Sequence, residues 1–406
     1  MEKIIKKAIN PLRILINDSR FTGAMLIACT ALSIFLTNFH VSASFYKSIW
    51  EFRLFSPSAH VPDTFISWLN NFLMAFFFMM AGTEIKRELV NGELSSFKKA
   101  VLPFGAALGG MVVPALIYLL FNIHTQFANG WGIPTATDIA FSVGIASILG
   151  NRVPVGLKIL LMALAIIDDL GAIVVIALFY GGHINWLFLG LAALCYAALL
   201  LFNRYKMEST KVWIFMAAVL WFALYNSGVE ASITGVLVAF AMPIHMLPKF
   251  EVKIHKYVNF LILPLFALAN TALILPTDVM GSLGGTVSLG IMVGLVIGKP
   301  LGIFLFSRIL VALNIASLPR NVEWKQLFGM GALAGIGFTM SIFTTMLAFK
   351  QQAFQDIAKV SILLSVVLSL VFSLCYFVAI SVNMNLKQAA AETEENAEKA
   401  LTLNLT

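Results

Sequence analysis

Ala163–Phe179 reads ALAIIDDLGAIVVIALF and sets two adjacent acids, Asp168 and Asp169, in the middle of an otherwise apolar run. Apolar runs of 17 to 25 residues recur from near residue 22 to near residue 384, the length that crosses roughly 30 Å of hydrocarbon. The 406-residue chain is 60% hydrophobic and only 12% charged, whereas soluble domains are about 25% charged. The fold class is therefore an all-α, multi-pass membrane protein. A β-barrel would instead show alternating segments of ~10 residues.

Proline, glycine and charged clusters divide the chain into about twelve spans, centred near residues 32, 76, 111, 141, 167, 193, 219, 237, 265, 298, 338 and 370. An even number puts both termini on one side. Twenty-two of the 27 Lys and Arg then fall on that side, and Lys47, Arg53, Lys350 and Lys359 on the other. This asymmetry makes the terminal side cytoplasmic. It also explains the net charge of +7 without any nucleic-acid partner.

The basic, amphipathic N-terminus MEKIIKKAINPLRILINDSR is expected to lie along an anionic lipid face, with no removable signal peptide. Residues 1–385 form one transmembrane unit and 386–406 a polar cytoplasmic tail. Cys29, Cys195 and Cys375 sit in separate spans and are expected to be buried thiols rather than a disulfide framework or metal cluster. The outside loop from Phe39 to Asp63 is long enough for a short hairpin or an interfacial segment.

Asp138, Asp168, Asp169 and Lys299 lie well inside spans. Each costs about 2.5–3.5 kcal/mol at a helix centre, and such groups mark ion pathways. Adjacent residues point about 100° apart around a helix, so Asp168 and Asp169 cannot share one geometry: one can face a watery cavity while the other meets a neighbouring helix. Two close carboxylates resist ionising together, so the pair can hold protons or exchange them for a small hard cation. Lys299 is the natural counter-charge, and Pro300 after it loosens its helix.

Two helices carry signs of interruption. Pro134, Thr135 and Thr137 precede Asp138 in GIPTATDIAFSVGI, and Gly331, Gly335 and Gly337 precede Thr339 and Ser341 in GMGALAGIGFTMSIF. Irregular backbone at membrane depth is tolerated only where it is buried in protein or lines a cavity. The glycines taken alone fit close helix packing at least as well as a break. The interruptions fall in spans 4 and 11, each the middle of a triplet, which points to an inverted-repeat transporter with two discontinuous crossing helices. In AGTEIKRELVNGEL, Glu84, Arg87 and Glu88 share one helix face. They are either a solvated helix end or a charged funnel mouth.

With these motifs in place, the chain resembles the NhaA-type sodium/proton antiporter family over roughly residues 10 to 385. The likeness is carried by GTEIKREL, GIPTATDIAFSVGI, ALAIIDDLGAI, LILPLFALANT, GLVIGKPLGI and GIGFTMSIF in combination. It implies a secondary antiporter of a bacterial inner membrane that exports Na⁺ or Li⁺, imports more protons than cations, is activated by pH, supports salt tolerance and needs no cofactor. By motif match, Asp169 is implied as the principal cation- and proton-binding carboxylate, and Asp168 as its partner, salt-bridged to Lys299. Thr137 and Asp138 are implied at the helix crossing, where Asp138 offsets positive half-helix ends. Glu84, Arg87, Glu88, Glu251 and His255 match the family's pH-response network. Homodimers, partly formed through an outside hairpin, are also implied. Two positions depart from well-known members: Asn71 replaces an aspartate and Glu230 a histidine.

Other functions fit less well. An intramembrane aspartyl protease needs its two acids on different helices in a G-x-G-D setting, and neither Asp138 nor Asp169 has one. A passive cation channel needs no buried lysine. A transporter of another substrate, such as an organic anion, is a further, less favoured reading.

Overall fold

The computed structural model describes residues 19–56, 60–207, 209–275, 281, 283–320 and 322–403. Of the N-terminal amphipathic stretch, residues 1–18 lie outside the described residues. The described chain is helical, with one isolated antiparallel bridge, Arg53 to Thr64.

Among the described residues, eight helices are long and apolar enough to cross a membrane: Phe21–Asn38, Phe65–Asn91, Phe97–Asn122, Val155–Phe179, Trp186–Arg204, Phe250–Asn270, Thr286–Ala312 and Gln352–Val382. The bent pair Trp324–Ala334 and Phe338–Ala348, whose halves meet at 50°, passes the same test of length and apolarity when taken together. Three further segments lie at expected centres: Thr210–Ser227, the short apolar Ala231–Ala241, and a 3₁₀ stretch Ala128–Thr135 followed by the helix Ile139–Ile148. Both interruptions read from the sequence are therefore present, at 136–138 and 335–337. The last helix runs on through Leu403, so residues 386–403 continue it.

Sequence explains two local departures from α-helix. The π turn Gly294–Gly298 runs into Lys299-Pro300, and the π turn Val258–Ile262 runs into Leu263-Pro264. Proline has no N–H and its ring crowds the carbonyl four residues back; widening the preceding turn relieves both problems. A third π turn, Leu69–Leu73, has no such proline.

The helix bearing Lys299 packs closely on Phe97–Asn122, because Gly302 faces Gly109 backbone to backbone. A Cβ on Gly302 would stand 2.7 Å from the Gly109 carbonyl carbon. The bundle's outer face is rich in exposed Leu, Phe, Ile and Val, such as Leu120, Leu178, Leu194 and Phe215, as lipid contact requires.

One expectation is corrected. Only Cys195 is a buried thiol; Cys29 is half-buried and Cys375 exposed, because an apolar span does not reveal which of its faces meets lipid. Lys359, counted with the outside segments, is 4% exposed within the last helix. The loop from Phe39 to Asp63 holds a helix, Ala43–Trp50, anchored where the Tyr46 hydroxyl donates to the Leu268 carbonyl at 3.0 Å. Beyond it the chain pairs antiparallel at Arg53 and Thr64, where the Leu54 amide donates to the Asp63 carbonyl at 2.7 Å and the Phe65 amide to the Phe52 carbonyl at 2.9 Å.

Candidate functional site

The two breaks in the chain cross each other, and Asp138 sits where they meet. It is the N-cap of Ile139–Ile148, with Oδ1 accepting from the Phe141 amide at 3.1 Å. Its other oxygen accepts from the Thr339 amide at 3.1 Å and the Thr339 hydroxyl at 2.6 Å, in the first turn of Phe338–Ala348. One carboxylate thus serves two helix N-termini, where unpaired amides and the helix dipole favour negative charge. The Asp138 amide donates to the Ile336 carbonyl at 2.7 Å. Ser142 donates to the Leu333 carbonyl at 2.8 Å, and Ser341 to the Ile133 carbonyl at 2.8 Å.

The opposite ends of the two broken segments leave carbonyls without helical partners. Lys299 donates to the Thr135 carbonyl at 2.5 Å, and Thr137 donates to the Ala334 carbonyl at 2.9 Å. The Lys299 ammonium also pairs with Asp168 Oδ2 at 3.0 Å, both side chains being completely buried. The Thr137 hydroxyl reaches the same Asp168 oxygen at 2.6 Å. Its single proton serves one of its two acceptors at a time.

Asp168 and Asp169 part as the helix geometry requires. Asp168 turns to Lys299 and Thr137, whereas Asp169 lines a cavity of about 360 Å³. Oδ1 of each is buried without a hydrogen-bond partner among the described residues. Buried polar atoms are nearly always satisfied, which makes these two oxygens the candidate acceptors of a proton or a cation.

The cavity also brings together Thr137, Asp138, Glu84, Arg87, Glu251 and His255. Arg87 makes an ion pair with Glu251 from the neighbouring helix, and His255 bonds the Asn259 amide at 3.0 Å. Glu88 turns aside, accepting from the Glu93 amide at 3.0 Å and pairing with Arg87 at 3.4 Å. Lys299, Asp168 and Glu88 do not line the cavity.

Sequence reasoning missed Lys86. Its ammonium donates to the carbonyls of Phe240 at 2.6 Å and Met242 at 2.5 Å, closing the C-terminal end of Ala231–Ala241. Its place in a helix-end charge cluster was visible; its distant carbonyl partners were not.

A second, larger cavity of about 900 Å³ shares no lining residue with the first and is bordered by the Ala43–Trp50 helix. Asn71 and Glu230 both line it. Phe343 also lines it and packs edge-on against Phe78, with ring centres 5.4 Å apart.

The family described as Na⁺/H⁺ antiporter 1 matches residues 13–377. Among individual relatives, the Na⁺/H⁺ antiporter NhaA of Cytophaga hutchinsonii is 46% identical over 356 residues, covering 86% of this chain and 90% of that protein. NhaA 1 of Klebsiella pneumoniae is 46% identical over 353 residues, covering 84% and 89%. NhaA 2 of Flavobacterium johnsoniae is 44% identical over 349 residues, covering 84% and 86%. Crossing broken helices, a buried lysine–aspartate pair and these likenesses converge: the chain belongs to the NhaA-type sodium/proton antiporter family.

Proposed function

We propose that Na⁺ (or Li⁺) and protons compete for the Asp168/Asp169 pair, and that this competition is the whole of the coupling. As a family member the chain is a secondary active sodium/proton antiporter of a bacterial inner membrane, not an enzyme. The observation that carries the competition reading is the orphaned Oδ1 of both aspartates. Asp169 takes the principal role because it lines the cavity, and hard carboxylate oxygens suit an alkali cation. Asp168 is held by Lys299, so a cation arriving at the pair competes with that ammonium. Asp138 and Thr137 keep the crossing electrically balanced while the two broken helices rock.

The reading includes about twelve crossings, with the broken ones fourth and eleventh, and both termini cytoplasmic. It also includes the 386–406 tail as a cytoplasmic extension and assembly as a homodimer. The 360 Å³ cavity then opens to the cytoplasm, with Glu84, Arg87, Glu251 and His255, flanked by Glu88, as its pH-responsive mouth. The 900 Å³ cavity is the outer vestibule. More protons than cations move per cycle, so the membrane potential contributes about 2.3 kcal/mol per net charge per 100 mV.

The test uses everted membrane vesicles with an acid-quenched dye. Adding Na⁺ or Li⁺ should dissipate a preformed pH gradient, and Asp169→Asn should abolish the response. A full response in Asp169→Asn would reject the site; no response in the parent protein at any neutral or alkaline pH would reject the function.

A further inference from the structure

The outer vestibule holds a charge that the exchange scheme does not use. Five charged side chains line it: Lys47, Glu51, Glu230, Asp356 and Lys359. Four of them have partners. Lys47 pairs with Glu51 at 3.5 Å, both well exposed. Asp356 accepts from the Gln352 amide at 2.9 Å. Glu230 accepts from the Ser232 hydroxyl at 3.1 Å. Lys359 is 4% exposed and has no hydrogen bond or ion pair among the described residues. Its closest electrostatic counterpart is Asp356, one helical turn earlier and outside ion-pair distance, an acid that also feels Lys47.

Snorkelling to the surface would explain a lysine seven residues after Gln352. Lys359 reaches the vestibule instead of the outer surface of the bundle. It lines the vestibule from within the protein while remaining almost wholly covered. An ammonium in that setting is poorly screened by water and salt, unlike the exposed Lys47–Glu51 pair at the rim. The lining as a whole carries three carboxylates against two ammonium groups, so a cation in the vestibule meets the Lys359 ammonium as a local positive field within a mixed-charge mouth. The cytoplasmic cavity is different: its lysine-free lining includes Asp138, Asp169, Glu84 and Glu251 against the one cation Arg87 and the imidazole of His255.

We propose that Lys359 makes sodium binding side-selective, its ammonium disfavouring a sodium ion in the outer vestibule and so weakening access from outside relative to access from the cytoplasm. This rests on the antiporter reading above. The residue acts through its field on the ion's path and does not touch the aspartate pair. An exporter gains by it: sodium released outward is repelled from the mouth it has just left, while the Asp168/Asp169 site keeps its affinity from within.

The test compares half-saturating Na⁺ on the two faces, in right-side-out and everted preparations of the full chain. Lys359→Gln should lower the outer-face value by about threefold or more and leave the inner-face value within about twofold. Lys359→Arg should behave as the parent. Asp356→Asn, which removes the charge that partly offsets Lys359, should raise the outer-face value by a similar factor, and it keeps the test alive if Lys359→Gln does not fold. An unchanged outer-face value in Lys359→Gln, equal shifts on both faces, or a lowered outer-face value in Asp356→Asn overturns the proposal. Loss of the inner-face response in the parent protein would instead overturn the antiporter reading, so the two failures are distinguishable.

Discussion

Replacing Lys299 by methionine tests how the buried pair is held. The substitution strands the Asp168 carboxylate, which loses an ammonium at 3.0 Å in a fully buried setting. Removing one partner of such a pair costs about 3–5 kcal/mol, mostly because the other charge remains uncompensated. The Thr135 carbonyl loses its donor as well, and a hydrogen bond to a charged group is worth about 1.5–3 kcal/mol. Adding Asp168→Asn to Lys299→Met removes the stranded charge but does not restore the donor to Thr135. The double variant should therefore be more stable than Lys299→Met alone, yet remain about 1.5–3 kcal/mol below the parent. Unfolding in detergent, followed by heat and by denaturant titration, measures all four corners of the cycle. The reasoning fails if Lys299→Met unfolds like the parent, or if adding Asp168→Asn lowers stability further.

Three other outcomes follow from contacts described above or from their immediate surroundings. Gly337→Ala places a Cβ 2.7 Å from the Ala136 carbonyl oxygen across the crossing, and should cost about 1–3 kcal/mol and slow exchange; Gly190→Ala, with nothing within 4 Å, is the neutral control for both melting and transport. Lys86→Met should cost about 1.5–3 kcal/mol in the same unfolding assay by freeing the carbonyls of Phe240 and Met242, and a parent-like melting curve would show the contact to be idle. Glu230 lies in the turn before Ala231, where burial, outweighing its Ser232 hydrogen bonds, pushes its carboxyl above the ordinary value of 4.5. The folded state then holds that proton more tightly than the unfolded chain does, so Glu230's stability contribution is complete below about pH 4.5 and is lost as pH rises through the folded value. Glu230→Gln should flatten the fall in melting temperature over that window, and an unchanged pH profile would contradict the assignment.

Much of the site was legible because charge in an apolar run is a strong signal. Asp138, Asp168, Asp169 and Lys299 stand out against their surroundings, and Pro134 marks one break by backbone chemistry; the glycines near 335 fit close packing as well as a break, so the second was less legible. The divergence of the two adjacent aspartates follows from helix geometry. Other features depend on what lies beside a span, which hydropathy does not encode, since lipid and protein interior are equally apolar. Cys375 and Cys195 occupy similar runs, yet one is exposed and the other buried. Lys359 reads as a surface residue near a span end, and only the packing of its helix shows it facing inward. Glu88 shares a helix face with Glu84 but turns to the Glu93 amide.

The π turn ahead of Lys299 carries a consequence for mutational tolerance. A widened turn holds one residue more than an α turn over the same rotation, whereas each residue of the flanking α-helix advances it by about 100°. The direction in which the ammonium points is therefore set by the number of residues between Thr286 and Lys299 as well as by their identity. Losing one residue from the π turn would let it close to an ordinary α turn with Lys299 still on the Asp168 side of its helix; a second deletion would swing the ammonium away without changing any charge in the protein.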